Sequence, residues 1–435
     1  MSEAISPARA AAAYVLSRCR RFDAWAPQTL AAAREKYKLS DRDAALCERM
    51  CLSVLQNAAL CDFYIGSFSS VPVSRMQPDV LDALRLGTVQ ILFMDRIPVS
   101  AAVDQSVAMV KKTSRGAAGL VNAVLRRIAE NRTSLPPIPD QDTAMELSVR
   151  YSHPLWLCRR LTDELGYDSA GAFLAADNTL PGLTVSVNLC KTDAVSLAEA
   201  LRGIDIDASV NAVSAVSVDI NKSGPVDDLP GFSEGLFFVQ DAAAACSVLA
   251  AGPERGNHIL DMCAAPGGKS LLCASVMRNE GEIVSCDLHA KKLRLIRENA
   301  DRLGFDCIQT RAMDASEPDE EYFSAFDLVI ADVPCSGMGV IRKKPEIRYK
   351  DPESLKNLPS VQLRILTGAA KCVRPGGKLL YSTCTVFHEE NRDVVDAFLD
   401  NTGEFSVLES RTIWPQDNGT DGFYYCLLKR NDHDR

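Results

Sequence analysis

Cys335 and Cys384 stand 49 residues apart, and each closes an apolar run that reads as a buried strand. The first lies in Ala331-Asp332-Val333-Pro334-Cys335-Ser336-Gly337, the second in Tyr381-Ser382-Thr383-Cys384-Thr385. A thiol at the C-terminal end of an α/β strand sits where such sheets do their chemistry. Upstream of both runs a glycine loop, Ala264-Ala265-Pro266-Gly267-Gly268-Lys269. Two thiols downstream of a cofactor-type loop suggest covalent catalysis by one sulfur, with the second in a separate role.

The loop belongs to Asp261-Met262-Cys263-Ala264-Ala265-Pro266-Gly267-Gly268-Lys269-Ser270, which joins a strand to a helix. Glycines there let the backbone approach a ligand closely. The helix N-terminus behind them offers free N–H groups to a carboxylate or phosphate. The pattern is neither GxGxxG nor a phosphate-binding GxxxxGKS, and by itself a glycine pair equally marks a tight turn. The order of acids adds weight. Asp287 ends the next strand, at the distance where a carboxylate accepts from ribose hydroxyls. Asp314 ends the third strand, in reach of an adenine amino group, and Asp332 ends the fourth. One Asp after a strand reads as a helix cap; three in succession deliver carboxylates to a single sheet edge, where packing alone does not explain them.

These residues need a parallel sheet behind them. From residue 232 to 435, short apolar strands alternate with helices, which predicts a mostly parallel, doubly wound Rossmann-like sheet. Two late strands, Phe405–Leu408 and Phe423–Leu428, read as an edge hairpin. Residues 1–134 read as an all-helical domain, with apolar positions at helical spacing such as Leu120, Val121, Val124, Leu125 and Ile128. Leu135-Pro136-Pro137-Ile138-Pro139-Asp140 cannot continue a helix and reads as a linker over 135–140. Residues 141–231 mix helix and strand in a small α/β unit.

Composition narrows the class further. The chain has 435 residues, enough for two or three domains, and 47% of them are hydrophobic. It has no apolar run of membrane-spanning length and no signal-peptide layout at Met1–Arg9, so a cytoplasmic protein is expected. The 15 cysteines show no CxxC pair, which argues against a zinc site or disulfide framework and for a reducing compartment. No metal is expected. The net charge of −9 hides an asymmetry, since residues 1–135 carry 18 Lys and Arg against 12 Asp and Glu. A basic N-terminal unit on an acidic chain is compatible with RNA contact, and equally with ordinary solvated helix faces.

Taken together, the motifs resemble the bacterial RNA cytosine-5 methyltransferases of the Sun/Fmu type. Leu260–Ser270 resembles that family's cofactor motif, and Asp332–Arg348 its Pro-Cys motif with a basic follow-on. Ser382-Thr383-Cys384-Thr385, followed by Glu389-Glu390-Asn391, resembles its Thr-Cys motif. Gly119–Ile128 is similar to the last helix of an antitermination-factor-like RNA-binding domain. Tyr151-Ser152-His153-Pro154 and Val239-Gln240-Asp241 resemble landmarks ahead of the catalytic sheet. Val333 and Thr385 depart from the usual pattern without changing a reacting group.

The resemblance implies S-adenosylmethionine as cofactor and small-subunit (16S) ribosomal RNA as substrate; with no heptad or obvious self-pairing surface in the sequence, a monomer is expected. It implies Cys384 as nucleophile, Cys335 in product release and Asp332 on the base. Cys263, Ala264, Ala265, Pro266, Gly267, Gly268, Lys269, Asp287, Asp314 and Asp332 fall to the cofactor. Arg342, Lys343, Lys344 and Arg348 fall to RNA phosphates, where an exposed charged loop is the plainer reading. A transfer-RNA cytosine-5 methyltransferase is the alternative substrate reading; a non-catalytic RNA-binding factor and a dithiol redox enzyme are the alternatives in kind.

Overall fold

The computed structural model describes residues 4–22, 26–139, 143–221 and 224–432. The last residue of the expected linker, 140, and residues 141–142 after it lie outside that set. The chain forms two compact units: residues up to Asn178 together with Lys344–Lys350, and Thr179–Lys343 together with Asp351–Arg435.

The first unit is helical. Its elements are α1 (Pro7–Phe22), α2 (Ala26–Tyr37), α3 (Asp41–Phe68), α4 (Pro78–Leu92), α5 (Val99–Thr113), α6 (Ala118–Glu130), α7 (Ala144–Arg150), α8 (Leu155–Leu165) and α9 (Tyr167–Asp177). Ser40 starts α3 by accepting from the Asp43 N–H, the usual service of a serine N-cap. The apolar stripe expected on α6 is buried at Val121, Val124, Leu125 and Ile128, against Leu84, Val89 and Val110 of the same core. The first compact unit runs through Asn178, so α7–α9 pack with the helical elements. The reason lies in a break in α3. Asn57 leaves helical dihedrals (φ −126°, ψ 20°). The Leu60 N–H then bonds the Ser152 hydroxyl at 2.9 Å, and the Gln56 carbonyl accepts from Arg348 Nη1 at 3.2 Å. Groups freed by the kink are thus met by side chains from distant sequence, as buried backbone requires.

The second unit holds two sheets. The smaller is antiparallel, in the order β2-β3-β1-β4, from β1 (Leu183–Val187), β2 (Asp207–Val210), β3 (Ser217–Asn221) and β4 (Phe237–Val239), with α10 (Ala194–Arg202) packed on it. The larger has the order β10-β11-β9-β8-β5-β6-β7. Its strands are β5 (His258–Asp261), β6 (Glu282–Asp287), β7 (Ile308–Ala312), β8 (Phe326–Asp332), β9 (Val373–Thr383), β10 (Phe405–Ile413) and β11 (Phe423–Arg430). Strands β5 to β9 pair in parallel, while β10 and β11 are the antiparallel edge hairpin.

Helices α11 (Ala242–Ala251), α12 (Gly268–Val276), α13 (Leu293–Leu303), α14 (Leu358–Cys372) and α15 (Arg392–Asn401) serve this sheet, and a short α16 (Pro415–Asn418) precedes β11. The central strands are continuous apolar runs, Val329-Ile330-Ala331 among them, as strands covered on both faces must be. On α13 the expected face of Leu293, Ile296, Ala300 and Leu303 is buried. Strand order reverses at β5, between β6 and β8, so the carboxyl ends of β5, β6 and β8 open on the switch-point crevice.

Candidate active site

The glycine loop leaves β5 at Asp261 and enters α12 at Gly268. Gly267 has φ +116°, closed to L side chains, and a Cβ there would press on Ile296 at 3.3 Å. Beneath the loop Asp261 is buried and accepts from the Ser270 hydroxyl at 2.7 Å, which in turn accepts from Ser285 at 2.8 Å. Burial pushes the Asp261 carboxyl up to about 7, against the pull of Ser270. This chain of side-chain bonds ties the loop to β6.

Next to the loop, Lys269 Nζ lies 2.7 Å from Asp332 Oδ2. The other oxygen, Oδ1, accepts from the Ser382 hydroxyl at 2.7 Å. Asp332 at the end of β8 is therefore held from both sides, by the glycine loop and by β9. Lys269 also stands 5.0 Å over the Phe423 ring.

The two thiols meet. Cys335 Sγ is 3.1 Å from Cys384 Sγ. That hydrogen bond holds Cys384 below the ordinary thiol range despite its burial, while the same bond, together with burial, pushes Cys335 well up. Either thiol can donate in this bond, and a lowered Cys384 beside a raised Cys335 is the direction that suits a nucleophile with a helper. Both loops are clasped by the residues after the second thiol. Glu390 Oε2 accepts from the Ser336 N–H at 2.8 Å and from Gln362 Nε2 at 2.9 Å. Gln362 also reaches the Pro334 carbonyl at 3.0 Å. Asn391 accepts from Thr383 Oγ1 at 2.5 Å and donates to the Thr385 carbonyl at 3.1 Å. Gly339 donates to the Cys384 carbonyl at 3.0 Å, and a Cβ on it would fall 1.9 Å from the Gly422 carbonyl oxygen.

A cavity of about 390 Å³ opens at the ends of β5, β6 and β8, lined by Cys263, Ala265, Asp287, Asp314, Asp332 and Pro334, among others. Asp287 accepts the His289 N–H on Oδ1 at 2.8 Å. Asp314 accepts the Ser316 hydroxyl and N–H on Oδ1, at 2.7 and 2.9 Å, which hold it below the usual carboxylate range. Among the described residues, neither carboxylate's Oδ2 has a protein donor, so each keeps an acceptor for a ligand hydroxyl or amino group. Volume and acceptor positions fit an adenosine bearing an amino-acid tail.

The basic follow-on divides. Lys343 Nζ lies 2.7 Å from both Asp241 and Asp421, and Arg342 donates to the Gly419 carbonyl at 2.8 Å. Lys344 is exposed. Arg348 is a correction: expected on RNA phosphates, it is 0% exposed and donates to the Gln56 and Ser152 carbonyls and to Asn178 Oδ1. Its guanidinium serves the kink in α3. Of the groups that hold the site, Ser382, Glu390, Asn391 and Asp241 lay inside quoted motifs without a role, while Gln362 and Asp421 lay in none.

Fold and site fit an S-adenosylmethionine-dependent methyltransferase, and the comparisons with known proteins define the class as one acting on RNA. The family model for the 16S rRNA methyltransferases RsmB/F matches residues 248–429, that of the NusB family residues 6–130, and that of the RsmF/B-like ferredoxin-like domain residues 153–227. The probable ribosomal RNA small subunit methyltransferase B of Bacillus subtilis is 34% identical over 416 residues, covering 90% of this chain and 92% of its own length. The ribosomal RNA small subunit methyltransferase B of Salmonella newport is 31% identical, covering 90% and 91%. The crystal structure of PH0851 shares the fold across 98% of this chain and 100% of its own, with TM-score 0.78 and 24% identity. A methyltransferase homologue from Pyrococcus horikoshii does so over 66% of this chain and 98% of its own, with TM-score 0.60 and 24% identity. The chain belongs to the RsmB/F family of rRNA methyltransferases.

Proposed function

We propose that the protein methylates carbon 5 of one cytosine in 16S ribosomal RNA through a covalent bond between Cys384 and carbon 6 of the base. The observation that carries this reading is the 3.1 Å contact between Cys335 and Cys384 beside the doubly held Asp332.

Carbon 5 of cytosine is a poor nucleophile. Addition of the Cys384 thiolate to carbon 6 breaks the C5–C6 double bond and pushes its electron pair through the ring toward N3. A proton placed on N3 leaves an enamine whose carbon 5 is nucleophilic. Asp332, held by Ser382 and Lys269, is the group to hold the base and to donate or relay that proton. S-adenosylmethionine, when bound, supplies the methyl electrophile. Asp287 suits its ribose hydroxyls, Asp314 its adenine amino group, and residues Cys263 to Lys269 its tail. Loss of the carbon 5 proton to solvent and return of the N3 proton to Asp332 then re-form the C5–C6 double bond and expel Cys384 as thiolate. Cys335, hydrogen-bonded to that sulfur, stabilises the departing anion and so favours release. A base within a duplex is out of reach of these groups, so the target cytosine is unpaired or flipped out. The helical unit, the antiparallel sheet and the exposed Lys344 are assigned to the surrounding RNA.

Profiling 5-methylcytosine in ribosomal and transfer RNA from a deletion strain tests the substrate. Loss of one mark in 16S ribosomal RNA, restored by the wild-type gene and not by Cys384→Ala, is expected. Loss confined to transfer RNA would overturn the ribosomal assignment.

A further inference from the structure

Two sequence features remain without a role in this chemistry: the Gln240-Asp241 landmark and the Arg342-Lys343 pair. The structure joins them. Lys343 Nζ lies 2.7 Å from Asp241 Oδ2 and 2.7 Å from Asp421 Oδ2. Arg342 Nη2 lies 3.5 Å from Asp421 Oδ1. Asp241 is itself fixed, since it caps α11 through the Ala243 N–H at 2.9 Å and accepts the Asp421 N–H at 3.3 Å. Two cations facing two carboxylates leave the cluster with no net positive charge to offer a phosphate.

We propose that Lys343 is a positioning residue for methyl transfer, latching the loop that carries Asp332 and Cys335 onto Asp241 and Asp421. This inference rests on the proposed cysteine chemistry. Between the end of β8 and Lys344 the chain has neither helix nor strand, so its path is set by anchors. Ser336 is tied to Glu390, Gly339 to the Cys384 carbonyl and to Gly422, and Lys343 to the two aspartates. Lys343 is the far anchor, and its partners lead back to the site from two directions. Asp421 lies two residues before Phe423, whose ring underlies Lys269. Asp241 follows Gln240, whose amide would meet a Cβ on Gly268 at 3.3 Å. Without the ammonium, the carboxylates of buried Asp421 and half-buried Asp241 face each other, and the loop end is repelled from the place it occupies.

The test uses full-length Lys343→Met, Lys343→Arg and Asp241→Asn with small-subunit ribosomal RNA transcript, measuring kcat, KM for RNA and the salt dependence of RNA binding. A latch predicts that Lys343→Met loses kcat by about tenfold or more, since a small displacement of a reacting group is that costly. KM for RNA and the salt slope stay as in wild type, and Lys343→Arg regains most of the rate. Asp241→Asn should also lower kcat without tightening RNA binding. A phosphate contact predicts the opposite: Lys343→Met raises KM and cuts the salt slope by about one, with kcat kept, and Asp241→Asn tightens binding by freeing the ammonium. That result, or unchanged kcat in Lys343→Met, overturns the latch. Asp241→Asn keeps the test decisive if Lys343→Met fails to fold. Failure of the functional reading would appear instead as wild-type protein inert on this RNA.

Discussion

Ser382→Ala removes one hydroxyl and nothing else from the site. Ser382 is fully buried, and its Oγ donates to Asp332 Oδ1 at 2.7 Å. The substitution leaves the carboxylate bonded on one side only, by Lys269 at 2.7 Å. A hydrogen bond to a charged group contributes about 1.5–3 kcal/mol, which corresponds to a rate loss of roughly 10- to 150-fold if it acts by aiming Asp332 at the base. The loss should fall on kcat, since the hydroxyl bonds Asp332 and neither Asp287 nor Asp314. Single-turnover methylation with saturating cofactor, beside a calorimetric measurement of cofactor binding, reads both quantities. A variant with kcat within twofold of wild type would refute the role given to Asp332, and an equal loss in cofactor affinity would move Asp332 from the base to the cofactor.

Other outcomes follow from the same geometry. The rate of adduct formation should rise with pH through a Cys384 ionisation set below the ordinary thiol range by Cys335; Cys335→Ala removes that bond, so that limb moves to higher pH, and a limb that stays in place would assign the low value to another cause. Hydrogen peroxide should convert Cys384 to a sulfenic acid with loss of hydroxide, and the Cys335 thiol 3.1 Å away should then displace water to close a disulfide. Activity lost in this way returns with dithiothreitol, and mass spectrometry that finds no Cys335–Cys384 link would sink the prediction. Arg348→Ala leaves three acceptors around α3 unmet and should cost roughly 3 kcal/mol or more of stability, read as a lower Tm, with the salt slope of RNA binding unchanged in the folded protein.

What the sequence made legible was what local signals encode. The glycine loop, the aspartates after β6, β7 and β8 and the two strand-closing thiols are short motifs whose meaning depends on a turn or a strand end. Their convergence followed from a parallel sheet, whose carboxyl ends all face one way. The clasp of Glu390 on Ser336 and Gln362 was hidden because its bonds span 54 and 28 residues. Arg348 was misread for a related reason. A cation in a basic run looks the same whether it meets solvent or a broken helix turn, and no periodicity in 41–68 announces the kink at Asn57.

The central claim is the division of labour between the two sulfurs. Incubation of Cys335→Ala, Cys384→Ala and the double variant with ribosomal RNA and S-adenosylmethionine, followed by a denaturing gel, tests it directly. If Cys384 attacks and Cys335 aids release, Cys335→Ala accumulates a covalent protein–RNA adduct, while Cys384→Ala and the double variant form none. An adduct that persists without Cys384, and vanishes without Cys335, would contradict the account and exchange the two roles.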